Sequence, residues 1–427
     1  MSDLVREAGP LSLYLHIPFC TVRCAYCDFN TYASLEGLMA PYTAALCREI
    51  RLVGEAGGRP LAHTLYFGGG TPSLLPLELH ARIFAALREA FTLTSDCEIT
   101  LEANPGTLSR AYLEGLRTLG VNRLSLGAQS SHPHELRLLD RLHLFGDVVQ
   151  AVSWAQAAGF ENINLDLIYA LPHQTLAQWQ ATLHRVLALG PEHISAYALS
   201  LEHGTPLRAW VYRGLLPMPD PDLAAEMYEW ASETLERHGY VQYEISNWAR
   251  DDGERMTAAR SDPKSEIENP KSKIENPKSK TPNPKFACRH NLQYWRNEEY
   301  LGFGAGAHGH AAGLRYSNVL APAAYIQRIE SGERRPYPLS PAVSECTRLT
   351  PEETMGETMM MGMRLVREGV SNAEFERRFG VSLAARYPRE LRALQRRGLI
   401  EWDGRHARLT RAGRLLGNQV FREFLAG

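Results

Sequence analysis

No apolar run in this chain approaches the roughly 20 residues that a bilayer-spanning helix requires. The opening Met-Ser-Asp-Leu-Val-Arg-Glu lacks the apolar centre of a secretory signal. Neither sign of charge dominates: the formal net charge is −2, so no basic excess argues for nucleic acid. Cysteine is scarce, seven in 427 residues, and three of the seven crowd into one loop, which suits a reducing compartment better than a disulfide framework. These absences predict a cytoplasmic protein with no nucleic-acid partner. The length leaves room for one large domain and a smaller one.

What is present is concentrated between His16 and Phe29, where Cys20, Cys24 and Cys27 are spaced C-x3-C-x2-C. Thiolates are soft ligands, suited to zinc or to iron–sulfur clusters. A closed zinc site normally takes four ligands in two close pairs. Here Asp28 and Phe29 follow at once and the next cysteine is Cys47. A Cys3His zinc site using His16 is the plain alternative, although an x3 gap is unusual for zinc. A cubane cluster held by three thiolates keeps one iron open to a small molecule, and that vacancy makes the loop look catalytic.

Short apolar or β-branched runs alternate with helical patterns as far as about residue 240. Strands are expected near Leu11–Ile17, His63–Phe67, Glu98–Leu101, Arg123–Leu126, Asn162–Ile168 and His193–Leu199. Helix-period segments such as Leu77–Phe91, Leu108–Leu119 and Leu176–Leu189 follow most of them. Six β-then-α units predict an α/β fold with a parallel sheet and right-handed crossovers. The first five strands each run into a ligand-capable feature: the cysteine loop, Gly68-Gly69-Gly70-Thr71, Glu102, Gln129 and Asp166. In α/β barrels chemistry gathers at that C-terminal rim.

Three motifs in order carry a resemblance: Tyr14-Leu-His-Ile-Pro-Phe-Cys20, Gly68-Gly-Gly-Thr-Pro72 and Asp166-Leu-Ile-Tyr-Ala-Leu-Pro172. They resemble the radical S-adenosylmethionine (SAM) superfamily, in particular the oxygen-independent coproporphyrinogen III oxidase group and its haem-chaperone branch. The resemblance selects a partial (β/α) barrel of radical SAM type over residues 1–250. It implies a [4Fe–4S] cluster on Cys20, Cys24 and Cys27, with SAM chelated at the open iron. Matched position by position, Tyr14 touches SAM and Tyr26 lies against the adenine. Gly69, Gly70 and Thr71 meet the methionine end, and Glu102 and Gln129 make polar contacts. Arg141 binds the carboxylate, Asp166 the adenosyl side, and Ala198 offers a backbone contact.

Two departures separate the chain from the oxidase. The oxidase continues its motif to C-x3-C-x2-C-x-C, and Phe29 stands where its fourth cysteine would be. The oxidase also carries a longer segment ahead of the position of Tyr14. Both favour the chaperone branch, which lacks oxidase activity and binds haem. His290-Asn-Leu-Gln-Tyr-Trp295 matches the H-N-x-x-Y-W motif associated with haem handling there, so His290 is an expected haem ligand, with Cys288 as a rival. By resemblance the partners are haem, bacterioferritin-like haem donors and cytochrome acceptors, with dimerisation and peripheral membrane contact. The alternatives are the oxidase reaction itself, or methyl or sulfur modification of RNA.

Between 251 and 285 the character changes. Ile267-Glu-Asn-Pro-Lys-Ser-Lys273 is followed by the same seven residues, and prolines recur at 263, 270, 277 and 284. A proline in every repeat forbids a continuous helix, and the polar composition predicts a disordered insertion. Residues 286–348 then continue the core. From 349 to 427 a second unit is expected, smaller, helical and winged-helix-like. Thr350 and Glu353 form a capping box, a methionine-rich helix runs to Val366, and a hairpin spans Ile400–Leu409. Arg392, Arg396, Arg397, Arg408 and Arg411 form its solvated face or its contacts to the barrel.

Overall fold

The computed structural model of the protein describes residues 9–251 and 283–425. The repeats expected to form a disordered insertion lie outside the described residues. Six parallel strands, Leu11–Ile17, Leu61–Gly69, Thr92–Ala103, Arg123–Gln129, Ile163–Tyr169 and His193–Ala198, stand side by side in chain order. Helices return the chain between them, including Met39–Ala56, Leu77–Ala90, Arg110–Leu119, Phe145–Ala157 and Leu176–Leu187. Side-chain caps start several of them: the Ser109 hydroxyl accepts from Tyr112 N, and Thr175 with Gln178 forms a capping box.

The sheet does not close. Beyond the sixth strand it continues with antiparallel Asn247–Arg250 and Tyr240–Glu244. Beyond the first strand it continues with Tyr300–Phe303, which is parallel to Leu11–Ile17, and then three antiparallel strands. The result is a partial barrel within one twelve-stranded sheet. Glu49, on the first long helix, fastens the late segment to the early one. Its buried carboxylate accepts from Gly304 N (2.8 Å), Asn318 Nδ2 (2.9 Å), Tyr325 OH (2.7 Å) and Ser340 Oγ (2.6 Å). A buried carboxylate is tolerated only when its lone pairs are met in this way.

The barrel strands alternate between apolar and polar residues although most of both faces is buried. Leu13, Leu15, Leu65, Phe67, Leu101, Leu124, Leu126, Leu165, Leu167 and Ile194 join the core under the helices. The intervening positions carry Ser12, Tyr14, Thr64, Tyr66, Glu98, Glu102, Arg123, Ser125, Asn164, Asp166, His193 and Ser195. Side-chain period two puts these on the opposite face, toward the barrel axis. An ordinary barrel interior is filled by Val, Ile and Leu. This one is hydrogen-bonded instead: Thr64 donates to Ser12 (2.6 Å), Asn164 to Ser125 (2.7 Å), and Ser195 to Asn164 (3.1 Å).

A short helix, Arg289–Trp295, plugs the N-terminal end of the barrel. Glu98 receives it, accepting from the backbone N–H groups of Arg289 and His290 at 3.1 Å each.

The C-terminal unit has its own core around Met359, Phe375, Leu394 and Phe424, with a three-stranded sheet of Val370–Ser371, His406–Leu409 and Ile400–Trp402. Its first helix, Pro351–Gly362, carries the expected Thr350–Glu353 capping box but ends before Val366. The last turn tightens through Leu365 N to Gly362 O, and Val366 N then bonds to Tyr243 O of the barrel sheet. Arg411 pairs with Glu233 and Glu236 of a barrel helix, and Arg414 donates to Gln242 (2.8 Å).

Candidate cluster and cofactor site

A cavity of about 880 Å³ opens at the C-terminal ends of the strands. Cys20, Cys24 and Cys27 line one wall, on a loop clamped from two sides: Ala25 N donates to Leu139 O (3.3 Å) and Leu207 N to Ala25 O (2.9 Å). Next to them the Gly68–Pro72 turn is stitched to the loop entrance by Gly70 N to Ile17 O and Thr71 N to Phe19 O, both 2.8 Å. A Cβ on Gly70 would stand 2.6 Å from Phe19 O, so only glycine permits this approach.

Hydroxyls and a guanidinium face the sulfurs. Cys20 Sγ lies 3.5 Å from Thr71 Oγ1, Cys27 Sγ 4.0 Å from Thr31 Oγ1, and Arg141 Nη1 donates to Cys24 Sγ at 3.6 Å. Burial pushes the Cys20 and Cys27 thiols up, so taking metal there releases protons. Among the described residues no three His, Cys, Asp or Glu side chains converge on a point that would hold a single ion. The Cys3His zinc alternative needs His16 as its fourth ligand. His16 has both ring nitrogens engaged, Nδ1 with Tyr14 OH (3.1 Å) and Nε2 with Asn30 O (2.9 Å). Three thiols spread around one cavity wall fit a cluster that offers each sulfur a different iron.

The remaining wall carries Tyr26, Gly69, Thr71, Glu102, Gln129, Arg141, Asp166 and Ala198 together. Glu102 accepts from Tyr66 OH (2.8 Å) and from Gly69 N (3.3 Å). Burial, with the Asp166 charge adding to it, pushes the Glu102 carboxyl up to about 7. Asp166 is oriented by Ser125 Oγ and Asn164 Nδ2, both at 2.9 Å. Gln129 has φ +62°, a left-handed turn at the strand end.

Two expected site residues stand outside this cavity lining. Tyr14 lies one layer back, with its ring stacked on Tyr66 at 6.2 Å. His290 is deeper still, 1% exposed in the barrel floor. Because Thr64 donates to Ser12, its oxygen accepts from His290 Nδ1 (2.8 Å), which leaves Nε2 to accept from Tyr294 OH (2.9 Å). Both His290 nitrogens carry hydrogen bonds in this arrangement, so haem ligation there would require Thr64 or Tyr294 to give way. Cys288 is buried too, its thiol aimed at Glu98 (3.6 Å) and pushed up to about 12 by burial.

Residues 14–186 match the Radical SAM superfamily profile, and residues 349–416 match the HemN C-terminal domain. The chain is 37% identical over 416 residues to the heme chaperone HemW of Bacillus subtilis (strain 168), covering 97% of this chain and 99% of that protein. The chain belongs to the HemW family of radical SAM proteins. It is 35% identical to the heme chaperone HemW of Mycobacterium tuberculosis (strain CDC 1551 / Oshkosh), over 97% of this chain and 95% of that one. Coproporphyrinogen III oxidase (HemN) from Escherichia coli shares the fold, with a TM-score of 0.77 and 24% identity over 98% of this chain and 90% of that one. Radical SAM membership implies SAM and an iron–sulfur cluster. Among the described residues no helix is long and apolar enough to cross a membrane.

Sequence reading missed Tyr66, Ser125 and Thr31 in this HemW-family site. The signal for the first two was available: Thr64-Leu-Tyr66-Phe-Gly68 and Arg123-Leu-Ser125-Leu-Gly127 put polar residues at every second position of buried strands. Thr31 carries no such mark, since it reaches Cys27 through the shape of the loop.

Proposed function

We propose that this chain is a cytoplasmic haem chaperone that binds a [4Fe–4S] cluster and SAM in the rim cavity and passes haem to haem proteins of the respiratory chain. Cys20, Cys24 and Cys27 would hold the cluster, which in this superfamily supplies the electron that can cleave the SAM sulfonium. Arg141 would meet the SAM carboxylate, Glu102 its ammonium and Asp166 its adenosyl side. HemW-family membership supports the chaperone reading, and haem is cargo in it rather than a resident group.

The observation that carries the choice over oxidase chemistry is Phe29 in place of the oxidase motif's fourth cysteine, beside full-length identity to HemW proteins, and the charge of the cavity agrees with it. The cavity lining includes six carboxylates, Asp28, Glu102, Asp140, Asp147, Asp166 and Glu202, against one guanidinium, Arg141. Coproporphyrinogen III brings four propionates, and like charges in a partly desolvated cleft repel. A zwitterion with a sulfonium and an ammonium suits the same wall. Phe29, 62% exposed at the mouth, adds apolar surface where the oxidase motif has its fourth cysteine.

The test is paired. Anaerobically reconstituted protein is titrated with haem and then mixed with an apo-haem protein, and the same preparation is incubated with coproporphyrinogen III, SAM and reductant. Haem uptake and handover without protoporphyrinogen formation is the expected outcome. Turnover of coproporphyrinogen would overturn the reading.

A further inference from the structure

We infer that His290 is a positioning residue for the SAM cavity, acting through the Tyr66 ring on the Glu102 carboxylate. The inference rests on the SAM reading of that cavity. Two contacts in series, His290 on Tyr66 and Tyr66 on Glu102, make the connection, and four others hold their members. His290 is fixed at both nitrogens by Thr64 and Tyr294. Its ring lies on Tyr66, with centroids 5.0 Å apart and planes at 28°. Tyr14 stacks near Tyr66 at 6.2 Å and 26°. Tyr66 OH then donates to Glu102 Oε1 (2.8 Å), and Gly69 N donates to the other oxygen.

The chemistry explains why such a chain is needed. Glu102 is a carboxylate at a cavity wall where burial disfavours its charge, so its orientation depends on the donors it keeps. Among the described residues Tyr66 is its side-chain donor, and a phenol can swing about χ1 unless its ring is held. An imidazole can hold it, being flat, with one donor and one acceptor edge, and burial keeps it neutral, with its pKa down at about 3. His290 stands on the Arg289–Trp295 plug, anchored in turn by Glu98. The H-N-x-x-Y-W motif thereby reaches the cofactor wall from beneath, with Tyr294 holding the imidazole edge.

The experiment measures SAM affinity from the change that SAM causes in the electron paramagnetic resonance spectrum of the reduced cluster, alongside haem absorbance of the same samples. Tyr66→Phe keeps the stack and removes one hydrogen bond to a charged group, and weakens SAM binding by about tenfold. His290→Ala weakens it comparably, and His290→Gln, flat and hydrogen-bonding, recovers part of the loss. In a Glu102→Gln background His290→Ala adds little, because the two act in one chain. If His290→Ala does not fold, His290→Gln decides: SAM affinity weaker than wild type supports the role and wild-type affinity overturns it. Unchanged SAM affinity in Tyr66→Phe and His290→Ala, beside normal wild-type binding, overturns the positioning role by itself. A wild-type spectrum that ignores SAM overturns the site reading and this role with it.

Discussion

Arg141 spans the cavity wall between the Cys24 sulfur and the barrel backbone: Nη1 donates to Cys24 Sγ at 3.6 Å while Nη2 donates to Gly127 O at 2.8 Å. A fixed positive charge beside a cluster ligand favours the more negative, reduced cluster. Arg141→Gln therefore lowers the cluster's reduction potential, by on the order of 50 mV. A spectroscopically monitored redox titration measures this, and a shift to higher potential would contradict it.

With Glu102 as the proposed partner of the SAM ammonium, SAM binding is expected to depend on pH. With its carboxyl near 7, the anion that pairs with the ligand ammonium is half formed at neutrality. Affinity rises as pH goes from 6 to 8, and Glu102→Gln both weakens binding and flattens the profile. Stability runs the other way. Below about 4.5 the acid is neutral folded and unfolded; as pH climbs from there to about 7 the unfolded chain ionises first, and stability falls. Glu102→Gln removes that decline, so the variant without ligand melts higher than wild type at pH 8. Thermal melts at pH 5 and pH 8 separate the two effects.

Gly70→Ala drives a methyl into the carbonyls of Phe19 and Ile17, which are backbone and cannot rotate away. The substitution costs about 1–3 kcal/mol and pulls the glycine turn off the cysteine loop, so iron content after reconstitution drops. Gly146→Ala is the control: nothing stands within 4 Å of the new methyl, at the start of a helix. Denaturant unfolding and iron assays on both variants compare them directly.

The edges of the 252–282 segment meet. Lys285 N donates to Asp251 Oδ1, and Phe286 N to Arg250 O, both at 3.3 Å. Replacing 252–282 by a short glycine linker leaves iron content and SAM affinity unchanged, because loop length alone alters closure entropy only slowly. Loss of either property in the shortened protein would assign that segment a part in the site.

How far the sequence discloses this architecture depends on which interactions set each element. Leu11–Ile17 is legible to the residue because its apolar alternation is bounded by Pro10 and Pro18. Thr92–Ala103 begins six residues before the strand expected from sequence, since Thr92-Leu-Thr-Ser-Asp has little apolar signal and is recruited by pairing with Leu61 and Ala62. Among site residues, the cysteines and the glycine turn announce themselves by spacing. His290 is the opposite case: its motif is distinctive, but the sequence holds no sign that Thr64, 226 positions earlier, bonds its Nδ1.

The partnership of Leu11–Ile17 with Tyr300–Phe303 bears on biosynthesis. Until Phe303 has left the ribosome, the strand leading into the cysteines has one bare edge, open to wrong pairing. The wall beside the cysteine loop is therefore completed only after most of the chain has been made, and fragments that stop short of Tyr300 are expected to keep that strand edge exposed.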